Sequence, residues 1–352
     1  MKVAFICDTH FGVRNDSPFF LENAIAFFEE QFFPYLKENN IRTVIHLGDL
    51  FDRRKYINFN TLSTVRDKFF QRLHDEGIHL HITIGNHDTY YKNTNNLNSI
   101  KEILEDRYLN VSIYEKPSVI YLNGYNFGIV PWITKENEEE VQKFIQTTNC
   151  KMIGGHFEIV GFQVINGVYH TSGFKVSEFN RFERVLSGHF HIKQSMGNIH
   201  YLGTAYQMNF ADVYSKKGFH IFDTESNTLE FIENDNEIFH LFTYDDSSDE
   251  EIKKIAKFIN EKKLKGTFVK VNIRVKDKQV IFDKFIDALW EKGIQNLSVL
   301  EDSLEINSDV QFEESDDTMS IIGREIDAIE RDFDKVKLKT LISDLYMESL
   351  KV

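Results

Sequence analysis

Five runs of β-forming residues along this chain of 352 residues each end in a short polar motif. Val3–Cys7 leads into Asp8-Thr9-His10, Val44–Leu47 into Gly48-Asp49-Leu50-Phe51-Asp52, and Leu80–Ile84 into Gly85-Asn86-His87-Asp88. Met152–Ile153 leads into Gly154-Gly155-His156, and Val185–Leu186 into Gly188-His189-Phe190-His191. A polar motif at the end of every strand requires a sheet whose strand ends share one edge. Few folds other than a layered α/β domain meet that demand. The glycines at 48, 85, 155 and 188 fit it too, because backbone without Cβ turns sharply and comes close to a bound group.

The motifs together supply carboxylates, imidazoles and an amide oxygen, the donors two adjacent divalent cations need. Any one fragment is a weak signal; the ordered set of five is not. No thiolate is among the donors, so Mn²⁺ is the preferred ion, with Mg²⁺ as the harder alternative. Two such ions polarise a phosphate and activate water, which points to a metal-dependent phosphoesterase. Cys7 and Cys150 have no partner at ligand spacing and read as incidental thiols, not as a zinc site or a disulfide framework.

The order and spelling of the motifs resemble the calcineurin-like metallophosphoesterase superfamily. Within it, Gly48-Asp49-Leu50-Phe51 and Gly85-Asn86-His87-Asp88 resemble SbcD-type nucleases of double-strand-break repair, and above all the small recombination-endonuclease subunits of T-even-like phages. The likeness spans roughly the first 225 residues. It implies an α/β four-layer sandwich of two mixed β-sheets flanked by helices. It also implies a two-metal DNA nuclease, exo- and endonucleolytic, that acts in recombination, replication and repair. Asp8, His10 and His191 would hold one ion, Asn86, His156 and His189 the other, and Asp49 would bridge them. His87 would be the acid that assists the leaving oxygen, with Asp88 orienting it. At position 52, where several nucleases of this kind carry histidine, this chain has Asp, which either orients a ligand or caps the turn with Arg53 and Arg54. Protein phosphatases and cyclic-nucleotide phosphodiesterases share fold and metal motifs and form the alternative class.

A formal net charge of −14 sits awkwardly with a DNA partner. Much of it is confined to Glu136–Glu140, Asp245–Glu251 and Glu313–Asp317, so local fields matter more than the total. No apolar run reaches membrane-span length and the first residues lack a signal-peptide pattern, so the expected location is the cytoplasm, the host's if phage-encoded. The 32 phenylalanines read as core filler.

Residues 1–243 read as the nuclease core and 244–307 as a small α/β cap with helix–strand–helix–strand order. Lys253, Lys254, Lys257, Lys262, Lys263 and Lys265 make its first half basic and offer a grip on DNA phosphates. Residues 308–318 form an acidic linker. Residues 319–352 carry helical periodicity through Ile322, Ile326, Ile329, Phe333, Leu338, Leu341 and Leu345. The resemblance implies that this tail binds the coiled coil of an SbcC-type ATPase, and no phosphate-binding loop of the chain's own is present. Helices are expected over Pro18–Phe33, stopped or bent by Pro34, and over Phe59–His74 and Asn96–Asp106. The family pairs through the last two, so a homodimer is expected, with Phe69, Phe70 and Leu73 as its apolar face. That face could also lie against its own sheet.

Overall fold

The computed structural model describes residues 1–301; the linker and the tail, with Ile322, Ile326, Ile329, Phe333, Leu338, Leu341 and Leu345, lie outside the described residues. Two six-stranded mixed sheets form the core. The first runs, edge to edge, Thr228–Glu233, Gly218–Asp223, Lys2–Ile6, Thr43–His46, His79–Thr83 and Val111–Tyr114. The second runs Gln194–Met196, Ile199–Tyr201, Arg184–Ser187, Met152–Gly155, Tyr125–Val130 and Ser118–Leu122. The strands that lead into the five motifs pair in parallel within each sheet, so their carboxyl ends align.

Alternation along the strands builds the layers. Val3, Phe5 and Cys7 join Phe127, Ile129, Met152 and Leu186 in a core between the sheets. Ala4 and Ile6, on the opposite face, meet a phenylalanine-rich cluster on the helices. Val185 and Ile153 face outward from the second sheet onto Val141 and Ile145 of the Glu138–Thr147 helix. The four-layer sandwich follows directly. Rings of Phe27, Phe28, Phe32, Phe33 and Phe69 pack at 4.7–6.2 Å between centroids, so much of the phenylalanine content does fill the core.

Pro34 does not end its helix. Pro18–Phe27 passes into a π-helical turn, Phe28–Phe32, and then into Phe33–Glu38, with Pro34 in the first turn of that last segment. There the missing N–H of proline costs little. The next helix is built likewise, Phe59–Val65, Arg66–Phe70 and Gln71–Asp75. Its Phe69, Phe70 and Leu73 are all buried in their own core, which removes them as a dimer face. Phe59, 88% exposed, is the apolar residue left outside. The third helix is shorter than expected, Ser99–Leu104, with the Asn98 side chain capping Lys101 N–H. Asn123 and Gly124, at φ 48° and 88°, make the hairpin turn that an Asn-Gly pair between two β-forming runs favours.

The cap sheet begins earlier than position 244. Phe239–Asp245 pairs in parallel with Phe268–Val275, which pairs with Asn296–Glu301. Both parallel connections need a crossover, which the helices Asp249–Glu261 and Gln279–Glu291 provide. Phe239 and Phe268 stack on Phe20 at 5.9 and 5.5 Å and so dock the cap on the Pro18–Phe27 helix. The acidic stretch from Asp245 opens on two buried, partnered carboxylates, and residues 247–250 are exposed. Asp245 pairs with Arg274, and fully buried Asp246 accepts the N–H groups of Asp277 and Lys278.

Candidate metal centre

Four of the expected donors hold unusual backbone: Asp8, His10, Asp49 and His189 have φ of 50°, 40°, 57° and 84°. Left-handed backbone at non-glycine residues is costly and gathers where a site imposes it. Gly48 and Gly85 show why glycine precedes the ligands. A Cβ on Gly48 would stand 2.6 Å from Gly85 N, and one on Gly85 would stand 2.1 Å from Asp49 Oδ1.

Two trios result. Asp8, His10 and His191 present donor atoms within 4.8 Å of one another, and so do Asp49, His156 and His189. Asn86 belongs with the second: its Oδ1 lies 2.9 Å from His156 Nε2 and 3.1 Å from His189 Nδ1. Asp49 Oδ2 stands between the trios, 3.6 Å from His10 Nε2 and 3.3 Å from His156 Nε2. Two features mark these as cation sites. Asp8 Oδ2 is buried without any hydrogen-bond partner, although burying an unmatched carboxylate oxygen is expensive. His10 Nε2 and His191 Nε2 face each other at 3.1 Å, two imidazole nitrogens converging on one point. The donors fit divalent cations.

The surroundings fix which nitrogen is presented. A carbonyl can only accept, so His156 Nδ1–H donates to Leu47 O at 2.8 Å, leaving Nε2 for the centre. Glu158 Oε1 stands 3.3 Å from His189 Nε2 and leaves Nδ1 facing Asn86. Asp52 Oδ1 lies 3.4 Å from His10 Nδ1, an ion-pair approach to an expected donor. Desolvation opposes the charged form of His10 and His156. Asp52 and Asp49 outweigh it at His10, raising it to about 9, and Asp49 and Asp8 outweigh it at His156, raising it to about 10. Burial, with the charges of His10 and Lys217, holds His191 neutral, its pKa well below the usual imidazole range.

His87 is half-buried, as His191 is, and its Nδ1 donates to the Asp52 carbonyl at 2.6 Å. Its ring meets that of His10 edge-on at 4.7 Å, and a third grouping joins His10, Asp49 and His87. Asp88 is not its orienting partner. The Asp88 carboxylate is wholly buried and accepts the N–H groups of Asp49 (2.8 Å), Leu50 (3.0 Å) and Gly85 (2.8 Å), locking the second motif to the third. Burial and the charge of Asp49 push its pKa up to about 7.

Residues 1–193 match the calcineurin-like phosphoesterase family. The chain belongs to that family. The phosphoesterase is 36% identical to exonuclease subunit 1 of Enterobacteria phage T4 over 234 residues, 66% of this chain and 68% of the relative. It is 22% identical over 258 residues to the SbcD component of the SbcCD nuclease of Staphylococcus epidermidis, covering 65% and 67% of the two chains. A shorter match, 28% over 158 residues, relates 43% of the chain to 39% of the DNA double-strand break repair protein Mre11 of Sulfurisphaera tokodaii. The resemblance read from the motifs is therefore borne out, and the phosphoesterase has nuclease subunits among its relatives.

Motif reading missed three contributors. Glu158 is two residues from a ligand but carries no motif of its own. Lys217, 4% exposed, binds the His191 carbonyl (2.8 Å) and Asp212 (2.6 Å), bracing the last motif from behind. Trp132 packs its ring 5.3 Å from that of His189. In the cap, Lys254, Lys257 and Lys262 are paired with Glu251, Glu261 and Glu237, while Lys253, Lys263 and Lys265 stand exposed. Among the described residues, no helix is long and apolar enough to cross a membrane.

Proposed function

We propose that this phosphoesterase is a DNA nuclease using two divalent ions, both exo- and endonucleolytic. It would serve a recombination or double-strand-break repair complex with an SbcC-type ATPase, in the cytoplasm of the cell or host. The observation that supports this best is the reach of Asp49 Oδ2 to imidazoles of both trios, which suits a bridging carboxylate. Nuclease subunits among the relatives support DNA as the substrate. Asp8, His10 and His191 would hold one ion, and Asn86, His156 and His189 the other. With four imidazoles among seven donors, Mn²⁺ suits the site better than Mg²⁺.

When bound, the ions supply charge to neutralise phosphate oxygens and activate water. The chain's own residues do the rest. His87, its Nδ1–H held by the Asp52 carbonyl, turns Nε2 to the site, and as an imidazolium it would give the Nε2 proton to the departing sugar oxygen and be left neutral. Asp88 holds the two motif loops at fixed separation. Lys253, Lys263 and Lys265 contact DNA phosphates from the cap. The tail, residues 319–352, binds the ATPase, and two copies associate through the region of the helices expected over Phe59–His74 and Asn96–Asp106, where Phe59 stays exposed.

The test incubates the full chain with linear double-stranded DNA, single-stranded DNA, a phosphoprotein, a cyclic nucleotide and bis-p-nitrophenyl phosphate, with Mn²⁺, Mg²⁺ or chelator. DNA cleavage that needs metal and is faster with Mn²⁺ supports the reading. Turnover of phosphoprotein or cyclic nucleotide without DNA cleavage replaces it with the alternative class. Sedimentation tests the dimer, and a truncation after residue 308 that still binds the ATPase would remove the tail's role.

A further inference from the structure

A cavity of ≈ 450 Å³ opens beside the centre and shares His156 with it. Its wall includes Trp132, Phe174, Lys135, Glu138 and Glu178. We propose that this cavity receives the nucleobase of the nucleotide whose phosphate sits at the metal centre, with Trp132 as the stacking platform. The inference rests on the nuclease reading and adds a base subsite to it.

Position comes first. The Trp132 ring lies 5.3 Å from that of His189 and 5.8 Å from that of His156, so a group resting on it is within one nucleotide of the ligands. Rigidity comes second. Trp132 N–H donates to Ile84 O at 2.7 Å, and its carbonyl accepts from Asn95 Nδ2 at 2.7 Å and Asn137 Nδ2 at 2.9 Å. The side chain packs partly on the helix-side core and stays half-buried, so part of it remains open to the cavity. With its main chain fixed by those bonds and its ring packed beside both imidazoles and the helix-side core, the indole loses little freedom when a base stacks on it.

Charge decides which part of a nucleotide enters. Glu138, Glu158 and Glu178 line the cavity together with one lysine, Lys135. A second phosphate is repelled by that wall. Carboxylates instead accept hydrogen bonds from exocyclic amino groups, which adenine, cytosine and guanine carry and thymine lacks. The volume falls in the range of small-ligand pockets, about 300–1,000 Å³.

The experiment is calorimetric titration of the Mn²⁺-loaded full chain with dGMP, dTMP and deoxyribose 5-phosphate. Base stacking of ordinary strength makes dGMP bind about tenfold or more tightly than the sugar phosphate, with dTMP weaker than dGMP. Trp132→Ala should erase the advantage of dGMP and Trp132→Phe should keep most of it, with Mn²⁺ affinity measured on each variant. Equal affinity of the intact chain for dGMP and the sugar phosphate overturns the proposal whatever the variants do. So does a Trp132→Ala chain that keeps the difference. DNA cleavage run alongside separates the two readings. Cleavage without base-dependent binding sinks the subsite alone, whereas base-dependent binding without DNA cleavage sinks the nuclease reading and leaves a nucleotide site.

Discussion

His87 Nδ1 donates to the carbonyl oxygen of Asp52 at 2.6 Å, across 35 positions of sequence. The bond sets the tautomer of the one half-exposed imidazole beside the trios, because a carbonyl accepts and cannot donate. It also gives residue 52 two tasks: its side chain approaches His10 while its backbone holds His87.

His87→Gln is therefore expected to lose about 10²- to 10⁴-fold in cleavage, the usual share of a general acid, while both ions still bind. Asp49→Asn is expected to lose the ion pair itself. Anomalous scattering from Mn²⁺-soaked crystals of the two variants checks this. Empty metal positions in the His87 variant would show that it is a ligand.

Metal binding should be strongly pH-dependent. Without metal, His10 and His156 stay protonated to about 9 and 10, and an ion must displace those protons. Affinity should rise with pH between 6 and 9, by up to about tenfold per pH unit for each proton released. The same shifts carry a stability term of opposite sign in the metal-free protein. Both are raised above the ordinary histidine value, so their contribution is full below about 6.5 and lost as pH rises through 9 to 10. Calorimetry in buffers of different ionisation enthalpy counts the protons, and urea melts in chelator at pH 7 and 10 test the stability.

Asp88→Ala should destabilise the fold by about 3 kcal/mol or more, since three buried N–H groups lose their acceptor. It should also weaken metal binding, because Asp49 and Asn86 lie on the two loops it joins. Denaturant unfolding and Mn²⁺ titration of the same sample read both. A variant of normal stability would show that water can replace the carboxylate.

Acid should destabilise the protein from about pH 6.5 downward. Burial holds His220 down to about 3 and His81 to about 4, so each folds neutral and must charge as the chain unfolds. Depressed values mean stability that is full above the unfolded pKa and is lost as pH falls toward 3 to 4. His220 Nδ1 also has no hydrogen-bond partner, and the ring packs 5.0 Å from Phe231. His220→Phe should therefore be at least as stable at pH 7 and visibly less acid-sensitive. A parallel pair of melting curves against pH decides it.

By itself the sequence determined the five strands that carry the motifs, the hairpin at Asn123-Gly124 and the seven donors that the structure gathers. Those features are local: side-chain alternation, a glycine before a turn, and donor types at strand ends carry their meaning within a few residues. Even so, local signals left open whether Pro34 stops its helix, which in fact continues after a π-helical turn, and misplaced the cap boundary, because Phe239–Asp245 pairs with a strand beyond a crossover helix. Only the tertiary structure decided which residues hold the donors in place. Asp52 rather than Asp88 orients His87, Glu158 reaches His189, Lys217 braces His191, and Trp132 walls a cavity beside His156. Each is a contact between segments far apart in the chain. Its partner is set by how two sheets stack face to face, a geometry that no short window of sequence contains.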